Sequence, residues 1–281
     1  MNYYTSENIN ENLTLIRSIS GELMYLLESE DSCALIDSCV GVGHLKAYVE
    51  TLTDKPVTLF LTHGHIDHAM GAPDFEKVYM NHKDIPLYQS QCSIEERKGY
   101  VMGCAGVDVA QQFKDEDYTK AQPDKEFENL QDGDTFKIGD FHLDCYEFPG
   151  HTPGAVVFLI REMSILILGD ACNNSTFVFD ENSAPLDIYR ENVIFNKNRL
   201  KGKYTRVFLS HHDMETDTQI MENVITVCDE ALAGKADDLP FEFMGMKAYI
   251  AKKCNERFQR EDGKSGNIIY NKTKLHQSGG K

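Results

Sequence analysis

Residues 57–68 read VTLFLTHGHIDH, an apolar, β-branched run that ends in three histidines and an aspartate. The run has the pattern of a buried strand. A loop leaving such a strand can turn several side chains onto one point, and imidazole is the commonest protein ligand for metals. His63 and His65 alternate, so in extended backbone they face the same way. Asp67 and His68 follow from the next turn. Two ligand pairs this close together suit two metal ions. A merely solvated loop is a poor alternative, because the chain has ten histidines in all and places three of them here.

Three further junctions repeat the arrangement. In EFPGHTPGA, His151 follows a strand pattern and is flanked by Pro-Gly on both sides, which makes a stiffly punctuated turn. SILILGDACN is an apolar run ending in Asp170, and a carboxylate at the end of a buried strand is costly to desolvate unless a cation meets it. RVFLSHHD places His211 and His212 directly after a strand, and one of the two suffices as a ligand. The donor set is then His63, His65, Asp67, His68, His151, Asp170 and one of His211 or His212. That is too many for one tetrahedral ion and suits two ions sharing a carboxylate.

Strand patterns fall at 23–27, 33–37, 57–62 and 77–80, and again at 135–138, 141–148, 155–160, 164–169 and 206–210. Several are apolar on both faces, as in sheets covered by helices. Helical patterns occupy 44–52, 186–200 and 216–233. In the last, Ile220, Val224, Val227 and Ala231 recur at steps of three and four before a C-capping Gly234. The stretch 81–128 is polar and mixed, with no readable period, and is inserted between the two strand-rich halves.

HxHxDH, then a histidine in a PGHTPG turn, then an aspartate after an apolar strand, then a strand-terminal histidine: this order resembles the metallo-β-lactamase superfamily. CALIDSCVG (33–41) resembles the early strand and Asp-turn that support the metal loop in that family, and LQDGDTFKIGDFHL (130–143) resembles its middle hairpin. The resemblance covers roughly residues 15–235. It implies an α/β fold, a four-layer αβ/βα sandwich of two mixed β-sheets with helices on the outer faces. The domain would span 1–240, with its insert at about 81–128, and 241–281 would be an extension packed on the same domain. It also implies that His63, His65 and His151 bind a first ion, that Asp67, His68 and the last histidine bind a second, and that Asp170 bridges. Ser210-His211 matches the Ser-His form of the final motif, which favours His211 over His212.

The chemistry implied is hydrolysis by a hydroxide shared between two divalent ions, zinc first, with iron or manganese compatible with the same N/O donors. Asp67 would hold the nucleophile in line. The substrate expected is a small thioester, ester or lactone, with Asn173, Asn174 and Phe177 placed to touch it from the loop after Asp170. An iron-dependent, sulfur dioxygenase-like oxidoreductase and a non-catalytic metal-binding module are the alternatives. Cys172, two residues past Asp170, reads as a small packing residue.

Composition narrows the partners. Lys and Arg number 28 against 45 Asp and Glu, a net charge of −17, which disfavours nucleic acid and anionic membrane. Residues 241–281 run the other way, with nine basic and four acidic residues. The partner expected is a small-molecule substrate, with a homo-oligomer open. The first residues have neither a basic n-region nor an apolar h-region, and the eight cysteines include no CxxC pair. Both features suggest a cytoplasmic protein with reduced thiols.

Overall fold

The computed structural model describes residues 1–277 and divides the chain into two compact units. The first comprises Met1–Cys145 together with Ser210–His212; the second comprises Tyr146–Leu209 and the chain from Asp213 onward.

The first unit is built on seven strands in sequential order: β1 (Tyr4–Asn8), β2 (Leu13–Ser18), β3 (Leu23–Glu28), β4 (Cys33–Ile36), β5 (Val57–Phe60), β6 (Val78–Met80) and β7 (Glu128–Asn129). The pairings β1 to β4 are antiparallel and those from β4 to β7 parallel. β3 and β4 are buried almost throughout, which explains why they lack a polar alternation. A hairpin of β8 (Thr135–Ile138) and β9 (Phe141–Glu147) follows.

The helices of this unit are α1 (Leu45–Val49), α2 (Ile66–Ala69), α3 (Ile85–Gln91), α4 (Ile94–Ala105) and α5 (Val107–Ala110). Three of them lie in the stretch 81–128, so the illegible insert is largely helical. The carboxyl ends of the parallel strands β4 and β5 release the loops at Asp37 and at His63, the edge where open α/β sheets gather ligands.

The second unit contains β10 (Val156–Ile160), β11 (Ile165–Ile167), β12 (Thr176–Val178), β13 (Arg206–Phe208), β14 (Glu215–Thr216), β15 (Leu239–Phe243), β16 (Met246–Ile250) and β17 (Ile268–Tyr270), with helices α6 (Leu186–Leu200) and α7 (Ile220–Leu232). β10, β11, β13 and β14 pair in that order, with only β11 and β13 parallel. β12, β17, β16 and β15 form a second sheet.

The buried faces of the two helices share one core: Leu186, Tyr189 and Val193 with Ile220, Val224, Val227 and Ala231. α7 starts later than the apolar period suggests. Glu215 and Thr216 pair with β13 as a strand instead, and the Asp217 carboxylate turns the chain by accepting from the Gln219 amide. Its C-terminus closes as a Schellman motif: Gly234 sits at φ 66°, its amide bonds the Ala231 carbonyl, and the Lys235 amide bonds that of Glu230. No helix among the described residues is long and apolar enough to cross a membrane.

Candidate metal centre

In the first unit the site starts at Asp37, which follows β4 in a left-handed conformation (φ 65°) that aspartate tolerates better than most residues. Its buried carboxylate accepts from the Thr62 amide at 2.8 Å and from the Thr62 hydroxyl, and the Nδ1 of His68 lies 2.8 Å from its Oδ2. Thr62 Oγ1 is in turn 3.0 Å from the Nδ1 of His63. The hydroxyl proton serves Asp37, so His63 donates to the threonine. In both histidines Nδ1 therefore carries the proton and Nε2 keeps its lone pair for a cation. A carboxylate behind an imidazole is the usual way of orienting a metal-binding histidine and raising its basicity.

The loop backbone is tied down by the insert. Gly64, between the two histidines, donates its amide to the Asp84 carboxylate at 3.0 Å, and a Cβ there would lie 2.7 Å from the Asp84 carbonyl oxygen. The Ile66 amide donates to the Gln91 side chain at 2.8 Å. The Tyr100 hydroxyl donates to Asp67 Oδ2 at 2.8 Å; burial, and then the neighbouring Asp67 charge, push its phenol well above the ordinary range. The sequence patterns named none of Thr62, Asp84, Gln91 or Tyr100. Only Asp37 could be suspected, through the Asp-turn.

The donor atoms of Asp67, His68 and His211 all lie within 4.8 Å of one another. His68 Nε2 and His211 Nε2 are 3.1 Å apart, and Asp67 Oδ2 is 3.4 Å from the second and 3.8 Å from the first. Zinc–nitrogen bonds of about 2.0–2.1 Å put tetrahedral ligand nitrogens roughly 3.3 Å apart. Two imidazole lone pairs and a carboxylate at these separations fit a divalent cation. His63 stands beside them, its ring 4.1 Å from that of His68 and 4.9 Å from that of His65.

His211 reaches this place because Ser210–His212 dock on the turn between β2 and β3. The Leu23 amide bonds the Ser210 carbonyl, Glu22 bridges His211, the His212 amide bonds the Gly21 carbonyl, and Arg17 donates to the His212 carbonyl. His212 takes a left-handed conformation with its ring against Gly21, so of the two adjacent histidines it is His211 that stands beside Asp67 and His68.

The second unit holds the other two predicted donors. His151 is buried in the Pro149-Gly150 turn, with Nδ1 2.7 Å from the Phe177 carbonyl, an acceptor that places the proton on Nδ1. The turn is compressed: Gly150 has φ 149°, and a Cβ on it would lie 2.4 Å from the Tyr189 ring. Asp170 follows β11, receives an amide hydrogen bond from Asn173 at 3.2 Å, and has Oδ2 3.9 Å from His151 Nε2.

Of the residues expected to touch substrate, Asn173 is buried and holds its own turn by accepting from the Ser175 amide, while Asn174 accepts from the Gly266 amide. Phe177 is half-buried, its ring 5.0–5.7 Å from those of Phe179, Phe241 and Phe243.

The family model of the metallo-β-lactamase superfamily matches residues 20–211. The chain belongs to this superfamily. Among its relatives, a probable metallo-hydrolase, YqgX, of Bacillus subtilis (strain 168) is 29% identical over 148 residues, 52% of this chain and 64% of the relative. The hydroxyacylglutathione hydrolase GloC of Haemophilus influenzae is 28% identical over 149 residues, 51% of this chain and 62% of its own length. The match thus spans somewhat under two thirds of each curated relative. Among solved structures, a metallo-β-lactamase from Pontibacter korlensis superposes with a TM-score of 0.59 at 16% identity, covering 80% of this chain and 99% of that one, which establishes the metallo-β-lactamase fold. The superfamily binds metal ions, and the Asp67–His68–His211 cluster is a candidate site for one.

Proposed function

We propose that this protein is a hydrolase that holds two divalent cations, zinc foremost, and cleaves a small thioester, ester or lactone. The observation that carries the reading is the Asp67–His68–His211 triangle, with His68 anchored from behind by Asp37. In this reading His63, His65 and His151 would hold one cation and Asp67, His68 and His211 the other, with the Asp170 carboxylate available to either. Divalent cations held there would supply Lewis acidity, lowering the pKa of a water toward neutrality and offsetting negative charge that develops on the substrate. Asp37 and Thr62 keep the imidazoles of His68 and His63 in the tautomer that presents Nε2. Asp67 accepts the hydrogen bond of the attacking water and sets its line. Phe177 and the neighbouring aromatic rings offer the acyl portion an apolar wall. Support for a thioester comes from the likeness to GloC, named a hydroxyacylglutathione hydrolase.

The test is a panel of thioesters, esters and lactones assayed on zinc-reconstituted and on chelator-treated protein. Turnover that vanishes with the metal and returns with zinc is expected. Turnover indifferent to chelation overturns the reading. One iron per chain with thiol-dependent oxygen uptake would replace it with an oxidoreductase.

A further inference from the structure

We propose that Tyr100 is a positioning residue for Asp67 and thereby sets the affinity of the cation held by Asp67, His68 and His211. The inference rests on the two-cation reading above and adds a determinant from outside the metal-binding motifs.

The placement begins with the N-cap of α4. Ser93 accepts from the Glu96 amide, which fixes where the helix starts. One turn in, Arg97 is buried, and its guanidinium donates to the carbonyls of Val40, Gly41 and Thr119. A fork that satisfies three carbonyls on two separate segments fixes both the rotation and the height of the helix. Tyr100 lies three residues further on, on the same face, and is itself buried. Its hydroxyl therefore arrives at Asp67 from a backbone with little freedom to drift.

The geometry at Asp67 gives the contact its consequence. The oxygen that accepts from Tyr100 is Oδ2, and Oδ2 is the oxygen near His68 Nε2 and His211 Nε2. The terminal torsion of an aspartate is broad and roughly two-fold. A hydrogen bond to Oδ2 selects one orientation and holds it where the two imidazoles converge. The cation then meets a carboxylate already in position, so the ordering cost is met in folding and not in binding. Removing a partner of this kind from a metal ligand typically lowers metal affinity about 10–100-fold.

The experiment is a competitive zinc titration against a chromophoric chelator on the wild-type chain, Y100F and D67N, together with the melting temperature of each metal-free chain. Phenylalanine keeps the ring and its packing and removes only the hydroxyl. The wild type should take up two equivalents, and D67N should lose one of them. Y100F should weaken the step that D67N loses about tenfold and leave the other in place, with the metal-free melting temperature lowered by no more than a few degrees. A Y100F titration that overlays the wild type overturns the proposal. A Y100F chain whose metal-free form is strongly destabilised, with both steps weakened together, overturns it in favour of a purely structural tyrosine. A wild type that takes up one equivalent overturns the two-cation reading, whereas a D67N chain that takes up two as the wild type does removes Asp67 from the ligands; in either case the role of Tyr100 falls with it.

Discussion

His68 and His151 are buried histidines anchored through Nδ1, but by different means. His68 leans on the carboxylate of Asp37, a side chain that also grips Thr62. His151 leans on the backbone carbonyl of Phe177 in β12. A carboxylate raises the basicity of the imidazole more than a carbonyl does, yet a single substitution removes it. A carbonyl cannot be mutated away. It is lost only when the backbone moves, so the first anchor is vulnerable at one residue and the second at the turn and strand that carry it.

The contrast can be broken at three levels. The largest effect is expected for D37A. Loss of the carboxylate should lower zinc affinity about 10–100-fold in a competitive titration, and leaving the Thr62 amide and hydroxyl without their buried acceptor should cost a further ~1–3 kcal/mol of stability each. Unchanged zinc affinity would mean that the carboxylate anchor is dispensable.

Next in size is G150A. The added methyl would meet Tyr189 at 2.4 Å in a backbone at φ 149°. An expected cost of about 2–3 kcal/mol should appear in calorimetry as a fall in melting temperature of roughly 4–10 °C. A melting temperature equal to that of the wild type would show the turn to be yielding, and the carbonyl anchor no firmer than a side chain.

The smallest effect concerns Cys172, in the loop that joins Asp170 to β12. Its thiol is fully buried, and desolvation pushes its pKa up to about 12. It should therefore stay protonated and resist iodoacetamide at pH 8 in the folded chain and react once the chain is unfolded, as read by peptide mass spectrometry. Rapid labelling of the native protein would show that the loop beside Asp170 opens.

What the sequence made legible follows the strength of the local signal. The donors stand at the ends of apolar strands, so a hydrophobic run followed by His or Asp is visible without any long-range information. α6 and α7 show in the same way, because their buried faces recur at helical spacing. β1, with the sequence YTSEN, is exposed over most of its length and carries no apolar alternation. It is a strand because β2 pairs with it. α4 was hidden for a related reason: its buried face includes Arg97, a residue that reads as solvent-facing until the three carbonyls it serves are known. Tyr100 could not be linked to Asp67 before α4 had a position. Asp84 and Gln91 likewise act on the amides of Gly64 and Ile66, and a contact with a backbone amide leaves no trace in side-chain spacing. The candidate donors could be picked out from the sequence, and most of the groups that hydrogen-bond to them could not.

The docking of Ser210–His212 on the turn before β3 bears on how the protein is made. A ribosome delivers Asp37, the HxHxDH loop and Tyr100 early, and each can settle while translation continues. The edge at Glu22 and Leu23 must wait for a segment encoded far downstream, and so must the last imidazole. Until then the Asp67–His68–His211 cluster is incomplete. Termination or a pause just short of codon 211 would leave a protein whose first unit is nearly whole yet lacks the third member of that cluster.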